Sequence, residues 1–367
     1  MKTPIYVTQP VLPELDDFIP YLKEIWDNKI LTNGGPVHQR LEQELSKFLG
    51  VEYVSLFNNG TIALMAAIQS LGLPKGGEII TTPYSFVATA HSIVWNNYTP
   101  VFVDINPITS NLDPKNVERA ITEKTAAILP VHCYGIPCDV YGLQAIAEKY
   151  QLKLIYDAAH AFGVKAHGKS VLSYGDLSVV SFHATKVFNT FEGGAIICHD
   201  LETKVKIDQL KNFGIVNETV VDSVGLNGKL SEIHSALGLL QLKSLKETLT
   251  ARKTVYELYR SLLDGVEGIK CLERPSVDED NYAYFPIIVE DGFALDRDAL
   301  CEKLKENNIY ARKYFYPLIS EFPVYQAYYA ETPIAKELSD KVLCLPMYPH
   351  LQPEVCEYIA NVIKSIK

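Results

Sequence analysis

One lysine of the chain lies in a context that favours covalent chemistry. Lys186 belongs to the segment SFHATKVFNTFEGGAI (181–196), after a strand-like run and before the turn Glu192-Gly193-Gly194. A lysine presented at the end of a buried strand is partly desolvated, which lowers its pKa and suits it to Schiff-base chemistry. The alternative is an ordinary surface lysine in a loop.

An aspartate ends another apolar run earlier in the chain. Asp157 follows Leu154–Tyr156 in the segment YDAAHAFG (156–163). We expect a buried carboxylate at the carboxyl end of a strand, the edge at which parallel α/β sheets bind ligands. Because burying an unpaired carboxylate is unfavourable, a positive group should lie opposite it. A helix cap or a structural ion pair is the alternative role.

A third candidate lies at the junction of a strand and a helix. In FNNGTIAL (57–64) the turn Asn59-Gly60-Thr61 opens a helix. The free N–H groups at a helix N-terminus bind anions, and glycine lets a phosphate approach closely. The alternative is a simple helix start that is capped by Thr61 or Asn59.

Together these parts match the needs of pyridoxal 5′-phosphate (PLP). A helix N-terminus would hold the phosphate, Asp157 would keep the pyridine nitrogen protonated, and Lys186 would carry the covalent bond. The sequence therefore predicts a PLP site.

Alternating elements must position these residues. Apolar runs of strand type, each followed by a helical or loop segment, recur through the first two-thirds of the chain, and they predict an α/β domain with a mainly parallel sheet. These runs are VSLF (54–57), EIITTP (78–83), PVFVDI (100–105), AAILPVH (126–132), KLIYDAA (153–159), SVVSFHA (178–184) and AIICH (195–199). The pattern changes after about residue 230, which predicts a large domain over 1–240 and a small α+β domain over 241–367.

Composition excludes several classes of protein. The formal net charge of −10, from 44 acidic and 34 basic residues, argues against a surface that coats nucleic acid. The 7 cysteines are scattered and odd in number, so we expect reduced thiols, no zinc site and no other metal site. No signal peptide or membrane-spanning apolar run is seen, so we expect a cytoplasmic protein.

The chain resembles the DegT/DnrJ/EryC1/StrS sugar aminotransferases over essentially its whole length. The segments that carry this resemblance are ILTNGGPVHQRLEQELSKFLG (30–50), NNGTIAL, TTPYSFVATA, PVHCYGIPCDVYGL, YDAAHAFG, SFHATKVFNTFEGGA, KNFGI, GLNGKLSEIHSALGLLQL and VLCLPMYPHLQPEV. The resemblance implies an aspartate-aminotransferase-like (type I PLP) fold with a seven-stranded sheet and a smaller C-terminal domain. It also implies a homodimer with shared active sites.

The resemblance assigns roles by position. Gly60, Thr61 and Ser181 would hold the phosphate, and Phe86 would stack on the pyridine ring, although core packing is its alternative. His160 would lie near the ring hydroxyl, while Asp157 and Lys186 keep the catalytic roles given above. Asn227 would reach a phosphate of the partner subunit. Lys229 would bind substrate where some relatives have an arginine. Relatives that dehydrate sugars have histidine in place of Lys186, so the lysine indicates transamination.

The implied substrates are glutamate and a nucleotide-linked keto-sugar. In YARKYFYPLI (310–319), Arg312 and Tyr316 would contact the nucleotide diphosphate, with core packing as the alternative. The segments SFHATK and FEGG resemble the subgroup that aminates the 4-position of dTDP-4-keto-6-deoxyglucose, for O-antigen or antibiotic sugars. The alternatives are a 3-aminotransferase and a non-catalytic PLP-binding regulator. A dinucleotide-dependent oxidoreductase is disfavoured because no G-x-G-x-x-G follows the first strand.

Overall fold

A computed structural model of the protein describes residues 3–275 and 277–366. Met1, Lys2, Ser276 and Lys367, which fall within the two predicted domains, lie outside the described residues. The α-helices are α1 (Leu15–Asn28), α2 (Pro36–Leu49), α3 (Gly60–Ser70), α4 (Ala88–Trp95), α5 (Pro114–Arg119), α6 (Val140–Tyr150), α7 (Leu201–Leu210), α8 (Glu232–Lys243), α9 (Leu245–Leu263), α10 (Arg297–Glu306), α11 (Pro333–Lys341) and α12 (Pro353–Lys364).

The strands share extended backbone and are short. They are β1 (Ile5–Tyr6), β2 (Tyr53–Phe57), β3 (Glu78–Thr81), β4 (Thr99–Phe102), β5 (Thr125–Leu129), β6 (Lys153–Asp157), β7 (Lys165–Ala166), β8 (Lys169–Ser170), β9 (Leu177–Ser181), β10 (Gly194–Cys198), β11 (Ile215–Asn217), β12 (Val220–Val221), β13 (Ile269–Cys271), β14 (Phe285–Val289), β15 (Ile309–Tyr310) and β16 (Val342–Leu345).

A seven-stranded sheet in the order β2-β10-β9-β6-β5-β3-β4 organises the first part of the chain. The pairs β6–β9, β5–β6, β3–β5 and β3–β4 are parallel, whereas β10 runs antiparallel to both β2 and β9. Every residue of β5 and of β10 is buried, as expected when helices cover both faces of a sheet. The predicted α/β fold with a mainly parallel sheet is confirmed.

A second unit follows the long helix α9. Strands β13, β14 and β16 form an antiparallel sheet, and residues of α9, α10 and α12 share one core with it. The N-terminal strand β1 pairs in parallel with β15, so the start of the chain contacts this second unit. The predicted boundary at residue 240 falls inside α8 and stays a prediction. No helix of the described ranges is long and apolar enough to cross a membrane.

Candidate active site

A cavity of about 380 Å³ opens at the carboxyl edge of the large sheet, where β2, β6 and β9 end. Its volume lies within the range of small-molecule sites. The predicted site residues that line it are Gly60, Thr61, Phe86, Asp157, His160, Ser181, Lys186 and Arg312. Residues more than a hundred positions apart in the sequence therefore meet at one sheet edge.

The start of helix α3 forms one end of the cavity. Asn59 caps the helix, since its side-chain oxygen accepts the Ile62 N–H at 2.8 Å. The N–H groups of Gly60 and Thr61 donate no hydrogen bond to any group in the described part of the chain. A Cβ on Gly60 would lie 3.1 Å from the Ser181 Cβ. Asn59 therefore caps the helix while two N–H donors beside the Ser181 side chain stay free, as an anion site would require.

Asp157 is buried at the base of the cavity and held by two donors. The Thr89 hydroxyl donates to Oδ2 at 2.8 Å, and the Ala159 N–H donates to Oδ1 at 3.1 Å. Ser85 lies 2.9 Å from the Thr89 hydroxyl and must donate to it, because the Thr89 proton is used on Asp157. Burial raises the Asp157 pKa despite these hydrogen bonds and the nearby charge of Lys186. A cationic ligand opposite the carboxylate would offset that desolvation.

Lys186 is partly buried in the same cavity. Burial lowers its pKa to about 8, against an opposing effect of the Asp157 carboxylate. Its Nζ donates to the Tyr284 hydroxyl at 3.3 Å. The neutral, nucleophilic fraction of this amine near neutral pH is therefore much larger than that of a solvated lysine, as expected for a lysine that forms a covalent bond.

His160 is held in one tautomer. Its Nδ1 accepts the Tyr134 N–H at 3.2 Å, so a neutral ring carries its proton on Nε2. Burial, with a smaller contribution from Lys186, lowers the His160 pKa well below its usual value. The Phe315 ring stacks on this imidazole at a centroid distance of 5.8 Å and 5°. His160 is thus a fixed, uncharged hydrogen-bond donor.

The second unit supplies the opposite wall of the cavity. Tyr284, Arg312, Tyr314 and Phe315 line it. The Tyr84 hydroxyl donates to the Tyr314 carbonyl at 3.2 Å, which ties this wall to the large sheet. The Arg312 side chain has no ion pair or hydrogen bond within the described residues. This wall therefore presents a guanidinium group that is available to bind an anionic ligand.

Phe86 marks the open side of the cavity. The residue is 60% exposed, so the core-packing alternative does not describe it. A large aromatic face left open inside a cavity is suited to stacking against a planar ligand.

Three predicted site residues do not line the cavity. Asn227 and Lys229 lie outside it, beside the end of edge strand β2, where the Asn58 N–H donates to the Gly228 carbonyl at 2.8 Å. Lys229 donates to the Asn227 side chain at 2.9 Å. Tyr316 is not among the lining residues, and the Arg297 guanidinium lies over its ring at 4.4 Å from the centroid.

Sequence reasoning missed Thr89 and Tyr284. Thr89 stands four positions after Ser85 in the motif TTPYSFVATA, and the i, i+4 spacing of two hydroxyls at a helix start was a usable signal. Tyr284 directly precedes the apolar strand β14, and nothing in its local sequence distinguishes it from a packing residue.

The residues present fit PLP. The Gly60–Ser181 cradle with free N–H donors suits a phosphate, and the buried Asp157 suits a protonated pyridine nitrogen. Phe86 offers a stacking face, and the Lys186 amine has the depressed pKa that covalent attachment requires. Within residues 3–275 and 277–366, no three His, Cys, Asp or Glu side chains group so as to hold a metal ion.

Comparison with known proteins gives the family. The family model described as the DegT/DnrJ/EryC1/StrS aminotransferase family matches residues 14–364. A dTDP-4-amino-4,6-dideoxy-D-glucose transaminase of Shigella dysenteriae is 55% identical over 100% of both chains. An Escherichia coli enzyme of the same name is 52% identical over 98% of both.

A solved structure agrees with these relatives. The crystal structure of DesI in the presence of its TDP-sugar product matches with a TM-score of 0.95 at 31% identity, covering 100% of this chain and 93% of that one. Aminotransferases of this family depend on PLP, the cofactor that the cavity fits. The chain therefore belongs to the DegT/DnrJ/EryC1/StrS aminotransferase family, and it is a PLP-dependent aminotransferase.

Proposed function

We propose that the chain transfers the amino group of L-glutamate to C4 of dTDP-4-keto-6-deoxy-D-glucose, giving dTDP-4-amino-4,6-dideoxy-D-glucose and 2-oxoglutarate. The observation that carries this proposal is the 55% identity, over both full chains, to a transaminase named for that product. The presence of Lys186 in the cavity supports transamination over dehydration.

The sheet wall would hold the cofactor. Bound PLP supplies an electron sink that stabilises negative charge at the carbon which loses its proton. The Gly60 and Thr61 N–H groups and the Ser181 hydroxyl bind the phosphate. Asp157, fixed by Thr89 and the Ala159 N–H, keeps the ring nitrogen protonated. Phe86 would offer its face to the ring, and His160 would present its Nε2–H to the ring hydroxyl.

Lys186 would move the protons. With a pKa of about 8, its amine takes the proton from the α-carbon of glutamate as a general base. It delivers a proton to C4 of the sugar in the second half-reaction. A base whose pKa lies close to the operating pH is efficient in both directions.

Arg312 would bind the substrate anion. Besides histidines, Lys186 and Arg312 are the cationic side chains among the described residues that line the cavity. Because Lys186 is used for covalent and proton chemistry, Arg312 remains for the diphosphate of the nucleotide sugar. Its planar fork of donors suits phosphate oxygens. Tyr316 lies outside the cavity, and we propose that it contacts the nucleotide beyond the cavity mouth.

The functional unit would be a homodimer with shared sites. Asn227 and Lys229 lie on the outer edge of the sheet, next to apolar side chains that a single chain leaves uncovered. Phe213 is 47% exposed and Val224 is 85% exposed. Exposed apolar surface of this kind is typical of an interface. In this arrangement Asn227 reaches the phosphate, and Lys229 the substrate, in the partner's cavity.

The product would enter amino-sugar assembly for O-antigen lipopolysaccharide or an antibiotic. We place the enzyme in the cytoplasm because its seven cysteines are free thiols, as is usual in a reducing compartment.

The decisive test separates the two keto positions. The PLP-loaded protein is converted to its pyridoxamine phosphate form with glutamate, freed of glutamate, and offered the 4-keto or the 3-keto dTDP-sugar. We expect only the 4-keto sugar to restore the original visible absorption and to give an amino sugar by mass spectrometry. Preference for the 3-keto sugar would assign a 3-aminotransferase. No spectral change with glutamate would indicate a non-catalytic regulator.

A further inference from the structure

Tyr284 connects the second unit to the lysine of the large sheet. It directly precedes β14, and its hydroxyl lies 3.3 Å from the Lys186 Nζ. The Nζ also lies 6.0 Å from the centroid of the tyrosine ring. A side chain of one structural unit therefore contacts the reactive atom carried by the other.

Aromatic neighbours fix the orientation of Tyr284. Its ring packs edge-on against His160 at 4.9 Å, Tyr134 at 5.7 Å and Tyr314 at 5.9 Å between centroids. The chain is also anchored just upstream, where the buried Asn281 side chain donates to the His160 carbonyl at 2.7 Å. Because these contacts enclose the Tyr284 ring and anchor the backbone before it, the hydroxyl is held in its orientation towards the Lys186 Nζ.

The charge state of this hydroxyl suits both forms of the amine. Burial raises the Tyr284 pKa well above its usual value, so the phenol stays neutral. It can accept a hydrogen bond from the ammonium form of Lys186 and donate one to the free amine. The other titratable groups that act on Lys186 are Asp157, Cys133 and His160.

We propose that Tyr284 is a positioning residue for Lys186, whose ε-amine it holds by a hydrogen bond over the cavity whenever that amine is not joined to the cofactor. Transamination requires the free amine to carry protons, so the effect on turnover rests on the proposed function. The hydrogen bond itself does not.

The first experiment uses the cofactor-free protein. The rate at which acetic anhydride acylates Lys186 is followed against pH by peptide mass spectrometry in wild type, Tyr284→Phe and Tyr282→Phe. The wild-type midpoint is expected near pH 8. The hydrogen bond from the ammonium is charge-assisted and stronger than the one to the free amine, so Tyr284→Phe should destabilise the ammonium more and lower the midpoint by about half a pH unit. Tyr282→Phe, two positions away and outside the cavity, should match wild type.

The second experiment uses the PLP-loaded enzyme. Tyr284→Phe should lower kcat about fivefold, the size of one neutral hydrogen bond, with KM for glutamate and sugar within about twofold of wild type. An unshifted midpoint, an equal shift in Tyr282→Phe, or an unchanged kcat would overturn the proposal. If wild type aminates no dTDP-sugar, the proposed function fails while the acylation profile still tests the hydrogen bond.

Discussion

The two walls of the cavity are built differently. On the sheet wall, Asp157 and His160 are buried and already hydrogen-bonded by the protein. On the wall of the second unit, Arg312 is exposed, and its side chain has no hydrogen-bond or ion-pair partner among the described residues. A wall whose polar groups are fixed suits one permanent ligand, and a wall with a free cation suits ligands that come and go. The contrast separates cofactor chemistry from substrate recognition.

The physical origin of the difference is the backbone. Gly60, Asp157 and Ser181 sit at or next to strand ends, where the ladder of the large sheet fixes their positions. Arg312 and Tyr314 lie beyond the end of β15, on a segment that is held by an isolated backbone bridge from Arg312 to Cys344 and by tyrosine hydroxyls on the Tyr314 carbonyl. Changes on the sheet wall should therefore affect the reaction itself, and changes on the other wall should affect mainly binding.

The sharpest test of the sheet wall is Lys186→Ala. We expect turnover to fall by about 10⁴-fold, the upper end of the effect of a general acid–base group, and the visible absorption of lysine-bound cofactor to disappear. Lys153→Ala is the matched control, since Lys153 lies at the opposite end of the strand that carries Asp157 and pairs on the surface with Asp176. Retained absorption in Lys186→Ala would refute the covalent role.

Asp157→Asn should have the next largest effect. The amide keeps the shape but not the charge that holds a proton on the ring nitrogen, so we expect kcat to fall about 10²- to 10³-fold while cofactor remains bound. Asp113→Asn, which replaces one good helix cap of α5 by another, should leave kcat unchanged. Steady-state kinetics and the bound-cofactor spectrum measure both. A drop below threefold would mean that Asp157 is only structural.

The pH dependence of cofactor uptake tests the desolvation of the sheet wall. Lys186 has a pKa lowered to about 8, and only its neutral amine attacks an aldehyde. The neutral fraction rises from about a tenth at pH 7 to about nine-tenths at pH 9, so the rate of PLP capture by the cofactor-free protein should rise about tenfold. Stopped-flow absorbance gives this profile. A midpoint near 10.5, the usual value, would show that the lysine is solvated.

Arg312→Gln probes the other wall and should have the smallest effect. Because the guanidinium is exposed, we expect KM for the nucleotide sugar to rise about fivefold with kcat nearly unchanged. Lys313→Gln is the neighbouring control, since that lysine pairs with Asp298 at 2.7 Å and does not line the cavity. A loss of kcat without a rise in KM would contradict the prediction that this wall acts in substrate binding and not in the reaction itself.

The same contrast explains what could be predicted from the sequence. Apolar runs that end in Asp157 or lead into Lys186 predict strands whose ends meet, so the sheet wall and its cofactor followed from spacing and chemistry. Strand β15 ends at Tyr310, so the segment around Arg312 is not a regular strand. Because side chains alternate between two faces only in a regular strand, odd or even position does not predict which of these side chains line the cavity. Arg312 and Tyr314 face it, and Tyr316 does not.

Contacts between distant segments were beyond local patterns. Tyr284 meets Lys186 only because β14 docks against the large sheet, and no periodicity encodes that docking. The roles of Asn227 and Lys229 depend on a second chain, so they stay predictions.

Strand β10 has a consequence for how this scaffold can diversify. Because β10 runs antiparallel, the loop that carries Lys186 leaves the sheet at Ser181 and returns at Gly194, which are direct ladder partners. Beyond them the Phe182 N–H still donates to the Gly193 carbonyl at 2.8 Å. The loop is thus closed at its base by backbone pairing, and Val187 and Phe188, which follow the lysine, pack in the core. The side chain at position 186 is only partly buried, so a substitution there leaves both the strand pairing and these core contacts in place.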